Sequence, residues 1–116
     1  MLNNLVICGR IVSDPEIKET ENGRKFCNIT LAVPRSFKND DGIYETDFIP
    51  VVLWRGIAEN VKEYCRKGDV VGVRGRLESS ITTDDGQTTE ENKKINLIVV
   101  AERVSFLSSA KPKEEE

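Results

Sequence analysis

Between Thr46 and Trp54 the chain reads Thr46-Asp47-Phe48-Ile49-Pro50-Val51-Val52-Leu53-Trp54, and this stretch limits the possible folds more than any other. In a strand, successive side chains point to opposite faces. Ile49, Val51 and Leu53 then form an aliphatic face suited to a core. Thr46, Phe48, Pro50, Val52 and Trp54 form the other face, and Arg55 follows directly. Spaced aromatic rings are a poor choice for a face that meets only water. They fit a surface on which flat, exposed bases stack.

The segments around it read mostly as strands. Leu5 to Val12 is a first strand interrupted by Gly9, a position that suggests a bend or bulge. Asp14-Pro15 signals a turn, Glu16 to Thr20 a short strand, and Asn22-Gly23 a hairpin turn. Phe26 to Val33 alternates, with Cys27, Ile29, Leu31 and Val33 inward, and Asn39-Asp40-Asp41-Gly42 is a second polar turn. Tyr44 to Trp54 is the strand described above. The period then changes: Ile57, Ala58, Val61, Tyr64 and Cys65 form one helical stripe, stopped by Arg66, Lys67 and Gly68. Val70 to Leu77 returns to strand, with Val71, Val73 and Leu77 on one face and Arg74 and Arg76 on the other. Asp84-Asp85-Gly86 marks the tip of a long hairpin, and Ile95 to Leu107 is a final strand. Three main strands, a short helix and two more strands is the order of an OB-fold, an all-β, five-stranded Greek-key barrel. An open α+β sheet with the helix on one face is the alternative. One domain over residues 1–107 is expected, with a disordered, charged tail over 108–116.

Composition excludes several function classes. The sequence has no histidine, and Cys8, Cys27 and Cys65 form no Cys-x-x-Cys pair, so neither a metal site nor any cofactor is expected. All three cysteines read as small core residues. There is no nucleophile elbow and no phosphate-binding glycine loop, so an enzyme is not expected. Asp40-Asp41 and Asp84-Asp85 sit beside turn glycines, where aspartate is structurally favoured. No apolar run is long enough to span a membrane, and Met1-Leu2-Asn3-Asn4-Leu5 does not read as a signal peptide, so a cytoplasmic protein is expected. The net charge is -3. Leaving out residues 111–116 removes two lysines and three glutamates, and the rest still carries -2. A nucleic-acid surface on this chain must therefore come from local clustering of cations.

The ordered motifs resemble those of the bacterial single-stranded DNA-binding protein family from Asn4 to Leu107. Asn4-Leu5-Val6-Ile7-Cys8-Gly9-Arg10-Ile11 with Asp14-Pro15-Glu16 is similar to the family's opening strand and turn. Asn28-Ile29-Thr30-Leu31-Ala32-Val33 resembles its second strand, and Thr46-Asp47-Phe48 with Val51-Val52-Leu53-Trp54 its third. Ala58-Glu59, Tyr64 and Lys67-Gly68 resemble the helix and its exit, and Val73-Arg74-Gly75-Arg76-Leu77 with Asp85-Gly86 the fourth strand and its hairpin. The resemblance implies sequence-independent binding of single-stranded DNA, usually by a homotetramer of OB-folds, in replication, recombination or repair. It places DNA-stacking aromatics at Phe37, Phe48 and Trp54, and a fourth platform position at Ile81, which has no π-face. The chain stops at Lys111-Pro112-Lys113-Glu114-Glu115-Glu116, without the acidic, aromatic-ended tip that recruits partners in many members, so tail-mediated partners are not expected.

Cations interleaved with these rings complete the candidate site: Arg10, Arg35, Lys38, Arg55, Arg74 and Arg76. Phe26 and Phe106 read as packing residues, and Tyr64 as core. With so little positive charge, stacking is expected to contribute more here than in a strongly basic binder, with moderate salt sensitivity per subunit. The alternative function is an OB-fold protein-interaction module that uses the same aromatic face.

Overall fold

The computed structural model describes residues 1–83 and 93–109. Its elements are β1 (Leu5–Ile11), β2 (Ile17–Glu19), β3 (Lys25–Lys38), β4 (Tyr44–Trp54), α1 (Arg55–Tyr64), β5 (Val70–Thr83) and β6 (Lys93–Ser108). The strands form one sheet in the order β1-β5-β6-β4-β3-β2, and β1 pairs with β3 as well, which closes the sheet into a five-stranded barrel. The small β2 is appended to β3 outside that ring. Neighbouring strands run antiparallel except β4 and β6, whose parallel pairing follows from the crossover through α1.

β1 serves both sides of the closure. It pairs with β5 along Leu5–Arg10 and with β3 through Arg10 and Ile11. The turn between the two sets of partners is made at Gly9, where a Cβ would lie 2.9 Å from both the Ala32 carbonyl oxygen and Val33 Cγ2. Any side chain there would push β1 off β3. Upstream, Asn3 imitates a strand residue: its Nδ2 donates to the Leu77 carbonyl and its Oδ1 accepts from the Leu77 N–H, both at 2.8 Å.

The core follows the alternation in the sequence. Cys27, Leu31, Val51, Leu53, Val71 and Val73 are fully sealed, and Ile11, Ile29 and Val99 nearly so. Sealing a Leu or Val contributes roughly 1.5–3 kcal/mol relative to exposure. The helix α1 plugs the barrel with Ala58 and Val61, and Cys65 packs just beyond its end. Burial pushes the Cys27 and Cys65 thiols up from their ordinary range. The helix is not long and apolar enough to cross a membrane.

Four expectations are corrected. Cys8 is exposed, because Ile11 fixes the inward parity of β1 and even positions face out. Tyr64 is 67% exposed, because α1 ends on it beyond the edge of the barrel, leaving only Ala58 and Val61 buried. Phe106 lies opposite Val71 at the rim and stays half exposed. Leu77 is 40% exposed, because the pairing of β1 with β5 ends at Gly75 and Leu77 lies just past it, opposite Val99 of β6. The expected hairpin tip at 84–86 and most of the expected tail lie outside the described residues. β6 itself continues to Ser108.

Candidate nucleic-acid interface

Cross-strand register turns the single-strand pattern into a surface, because residues paired across strands share a face. Ala32 pairs with Phe48 and with Arg10, so Arg10, Ala32 and Phe48 form one outward row across β1, β3 and β4. Phe26 pairs with Trp54 and with Lys18, which gives a second row across β2, β3 and β4. Between them, Asn28, Val52, Val100 and Arg76 are linked in register, so Arg76 shares the outer face of the two rings. Small residues such as Ala32 leave the Phe48 ring standing clear.

Phe48 is 64% exposed and Phe37 63%. Phe37 lies on β3, near the tip of the β3–β4 hairpin. Trp54 is half-buried, clearly more covered than Phe48 or Phe37. Its ring is 5.4 Å from the Phe26 ring, tilted by 42°, and the Arg24 guanidinium lies 4.3 Å from its centroid. Phe48 and Trp54 are six residues apart, about 20 Å along a strand. That is several stacked nucleotide steps of about 3.4 Å, so bases on the two rings are not neighbours in the bound strand. Ile81 is 57% exposed and faces Ile95 on the β5–β6 arm, beyond the barrel wall that carries the rings.

The six expected cations differ sharply in their surroundings. Arg35 forks onto Asp47, Nε to Oδ2 at 3.1 Å and Nη2 to Oδ1 at 2.9 Å, and its Nη1 is 3.2 Å from Glu45 Oε1. The fork holds the Asp47 carboxyl below the usual carboxylate range and raises the Arg35 guanidinium. Arg76 is held the same way, Nη2 at 2.8 Å from Glu78 and Nη1 at 3.2 Å from Glu102, and these acids raise it too. Both arginines therefore present much less net charge than the sequence suggests. Arg10 spends one donor on the Gly68 carbonyl at 2.7 Å and keeps the others. Lys38 lies 5.6 Å over the Tyr44 ring. Arg55 opens α1 with a positive φ of 53°, and Arg74 stands opposite Arg103 across β5 and β6. Among the described residues, Arg10, Lys38, Arg55 and Arg74 have no carboxylate within ion-pair reach.

Lys18, Arg24 and Phe26 are additions to the site. The β3–β4 register sets Phe26 against Trp54, the β2–β3 register sets Lys18 against Phe26, and the turn between β2 and β3 lays Arg24 over the Trp54 ring. Among the described residues no group of three or more cysteine or acidic side chains is placed to hold a metal. The surface can stack flat rings and hold a few anions.

The model of the single-strand binding protein family matches residues 2–107. The chain is 44% identical over 108 residues to a single-stranded DNA-binding protein of Halalkalibacterium halodurans, covering 92% of this chain and 61% of that one. It is 38% identical over 117 residues to single-stranded DNA-binding protein B of Bacillus subtilis, covering 98% and 96%. This chain thus spans about three fifths of the first relative's length and nearly all of the second's. Among solved structures, the fold is similar to a Plasmodium falciparum SSB in complex with single-stranded DNA, with a TM-score of 0.75 and 22% identity over 93% of this chain and 96% of that one.

Proposed function

The chain belongs to the single-strand binding protein family, and from that membership we propose that it binds single-stranded DNA without sequence preference and protects it during replication, recombination or repair. The observation that carries this reading is the open Phe48 ring in a row with Arg10, six residues from Trp54 on the same outer wall. Bases stack on the rings, and Arg10, Arg55, Lys38 and Arg74 hold phosphates. The binding domain extends to the end of β6 at Ser108. The protein is a binder, not an enzyme, and works in the cytoplasm. An anisotropy titration of labelled oligothymidylate, competed with unlabelled single strand or duplex, tests this. Single strand should displace the label far better than duplex; equal displacement contradicts the proposal.

Arg35 and Arg76 enter as masked cations. Replacing both acids around one of them, Asp47→Asn with Glu45→Gln, frees Arg35 for phosphate. The expected result is tighter binding at low salt and a salt slope steeper by about 0.7 in log K for one added contact. The pH sign agrees. Because the Asp47 carboxyl is depressed by Arg35, the pair persists at neutral pH and is lost only as pH falls through that lowered value. Affinity of the native chain should not rise by this route on going from pH 7 to 5.

We propose further that the chain is a homotetramer. Val6, Leu77, Ile81, Ile95 and Leu97 stand exposed along β1, β5 and β6, apolar area that a lone subunit leaves in water. Light scattering should give a mass near four chains. The acid-locked Arg35 and Arg76 favour a second reading, a protein-interaction module on the same wall; absence of oligothymidylate binding at low salt would select it.

A further inference from the structure

The β2–β3 turn has no role in the site as the sequence presents it, yet it stands against Trp54. Three hydrogen bonds fix it: Thr20 N–H to the Arg24 carbonyl and Gly23 N–H to the Thr20 carbonyl, both at 2.9 Å, and Arg24 N–H to Thr20 Oγ1 at 3.1 Å. The turn backbone at Arg24 is thus set, while its side chain is exposed and lies over the Trp54 ring. Arg24, Lys25, Arg55, Gly56 and Glu59 line an open groove beside that ring. Lys25 and Glu59 pair with each other at 3.6 Å, and no carboxylate among the described residues reaches Arg24 or Arg55. The Arg24 guanidinium thus lies over the ring and Arg55 lines the same groove, neither paired with a carboxylate among the described residues, and Lys18 extends the Phe26–Trp54 row from β2.

We propose that Arg24 is a phosphate ligand of the Trp54 subsite: it covers the ring in the free protein and, when a base takes the ring face, moves onto the phosphate beside that base, with Arg55 across the groove. The exchange is favourable in kind, since a guanidinium–phosphate pair is charge-assisted and bidentate whereas an exposed cation–π contact is weak. It also protects the ring from other apolar partners while no strand is bound. The proposal rests on single-stranded DNA binding at the aromatic wall.

The test is oligothymidylate titration over a range of salt with Arg24→Gln, Arg24→Lys and Trp54→Ala. Arg24→Gln should weaken low-salt binding several-fold and flatten the salt slope by about 0.7 in log K, the loss of one phosphate contact. Arg24→Lys, which keeps the charge, should keep the slope. Unchanged binding in Arg24→Gln overturns the proposal. So does tighter binding with an unchanged slope, which would make Arg24 a mere competitor for the ring. If the native chain binds and Trp54→Ala impairs it while Arg24→Gln does not, the phosphate role alone fails. If the native chain does not bind, the function reading fails and takes this role with it. Circular dichroism should show the same fold in both Arg24 variants, because the turn is held by backbone and Thr20 atoms.

Discussion

Alanine at both Phe48 and Trp54 should weaken oligothymidylate binding by about two orders of magnitude or more, measured by anisotropy at fixed salt, since each stacking platform is worth roughly 1–3 kcal/mol. The two single variants should differ in kind. Phe48 is 64% exposed, in a row with the small Ala32 and the exposed Arg10. Phe48→Ala should therefore lower affinity with almost no change in melting temperature. Trp54 also packs on Phe26 and lies under Arg24, so Trp54→Ala should lower both. Phe48 has no cation against its ring, so Phe48→Ala should leave the salt slope where it was, whereas Trp54→Ala also removes the ring under Arg24 and can flatten it by at most that one contact, about 0.7 in log K. A slope that collapses in the double variant would mean that the rings act by positioning cations rather than by stacking.

The largest expected effect on stability comes from adding one methyl group. At Gly75 a Cβ would be driven into the Val100 carbonyl, with Ala101 Cα also only 3.2 Å away. Both are backbone atoms of β6, directly across the ladder beside an irregularity between Arg74 and Gly75. They cannot turn aside as a side chain does, so β5 and β6 must separate locally. Overpacking of this kind costs typically about 1–3 kcal/mol, and a rigid backbone neighbour puts Gly75→Ala at the upper end or beyond. For a domain of this size, that lowers the melting temperature by roughly 10–20 °C. Gly72→Ala is the control on the same strand, because its Cβ would meet only Cys8 Sγ and Leu107 Cδ1 at 3.6 Å, an ordinary contact. Thermal scans of the two variants should separate clearly; equal shifts would show that glycine at 75 is not required by close approach.

The barrel is legible in the sequence because its signals are local. The alternation of β4 gives the strand bounds Tyr44–Trp54 and both of its faces, and the change of period after Trp54 gives α1. Gly9 marks the strand that serves both sides of the closure. What is not legible depends on contacts distant along the chain. Arg76 is neutralised by Glu78, two residues along the same strand, and by Glu102, 26 residues away, and Arg35 by Asp47, 12 away; only the Glu78 contact is local. Arg24 reaches Trp54, and Lys18 reaches Phe26 beside it, because β2 adds to the edge of β3 in one particular register. Tyr64 belongs to the apolar stripe of α1, but where that helix outruns the barrel is set by the strands it caps.

Intrinsic fluorescence addresses the stacking claim most directly, because Trp54 is the single tryptophan of the chain. Titration with oligothymidylates of increasing length at low salt should quench it strongly, with a break at a defined number of nucleotides per subunit. Emission that stays unchanged while the same oligothymidylate demonstrably binds would contradict the account, because the strand would then be held without touching the ring.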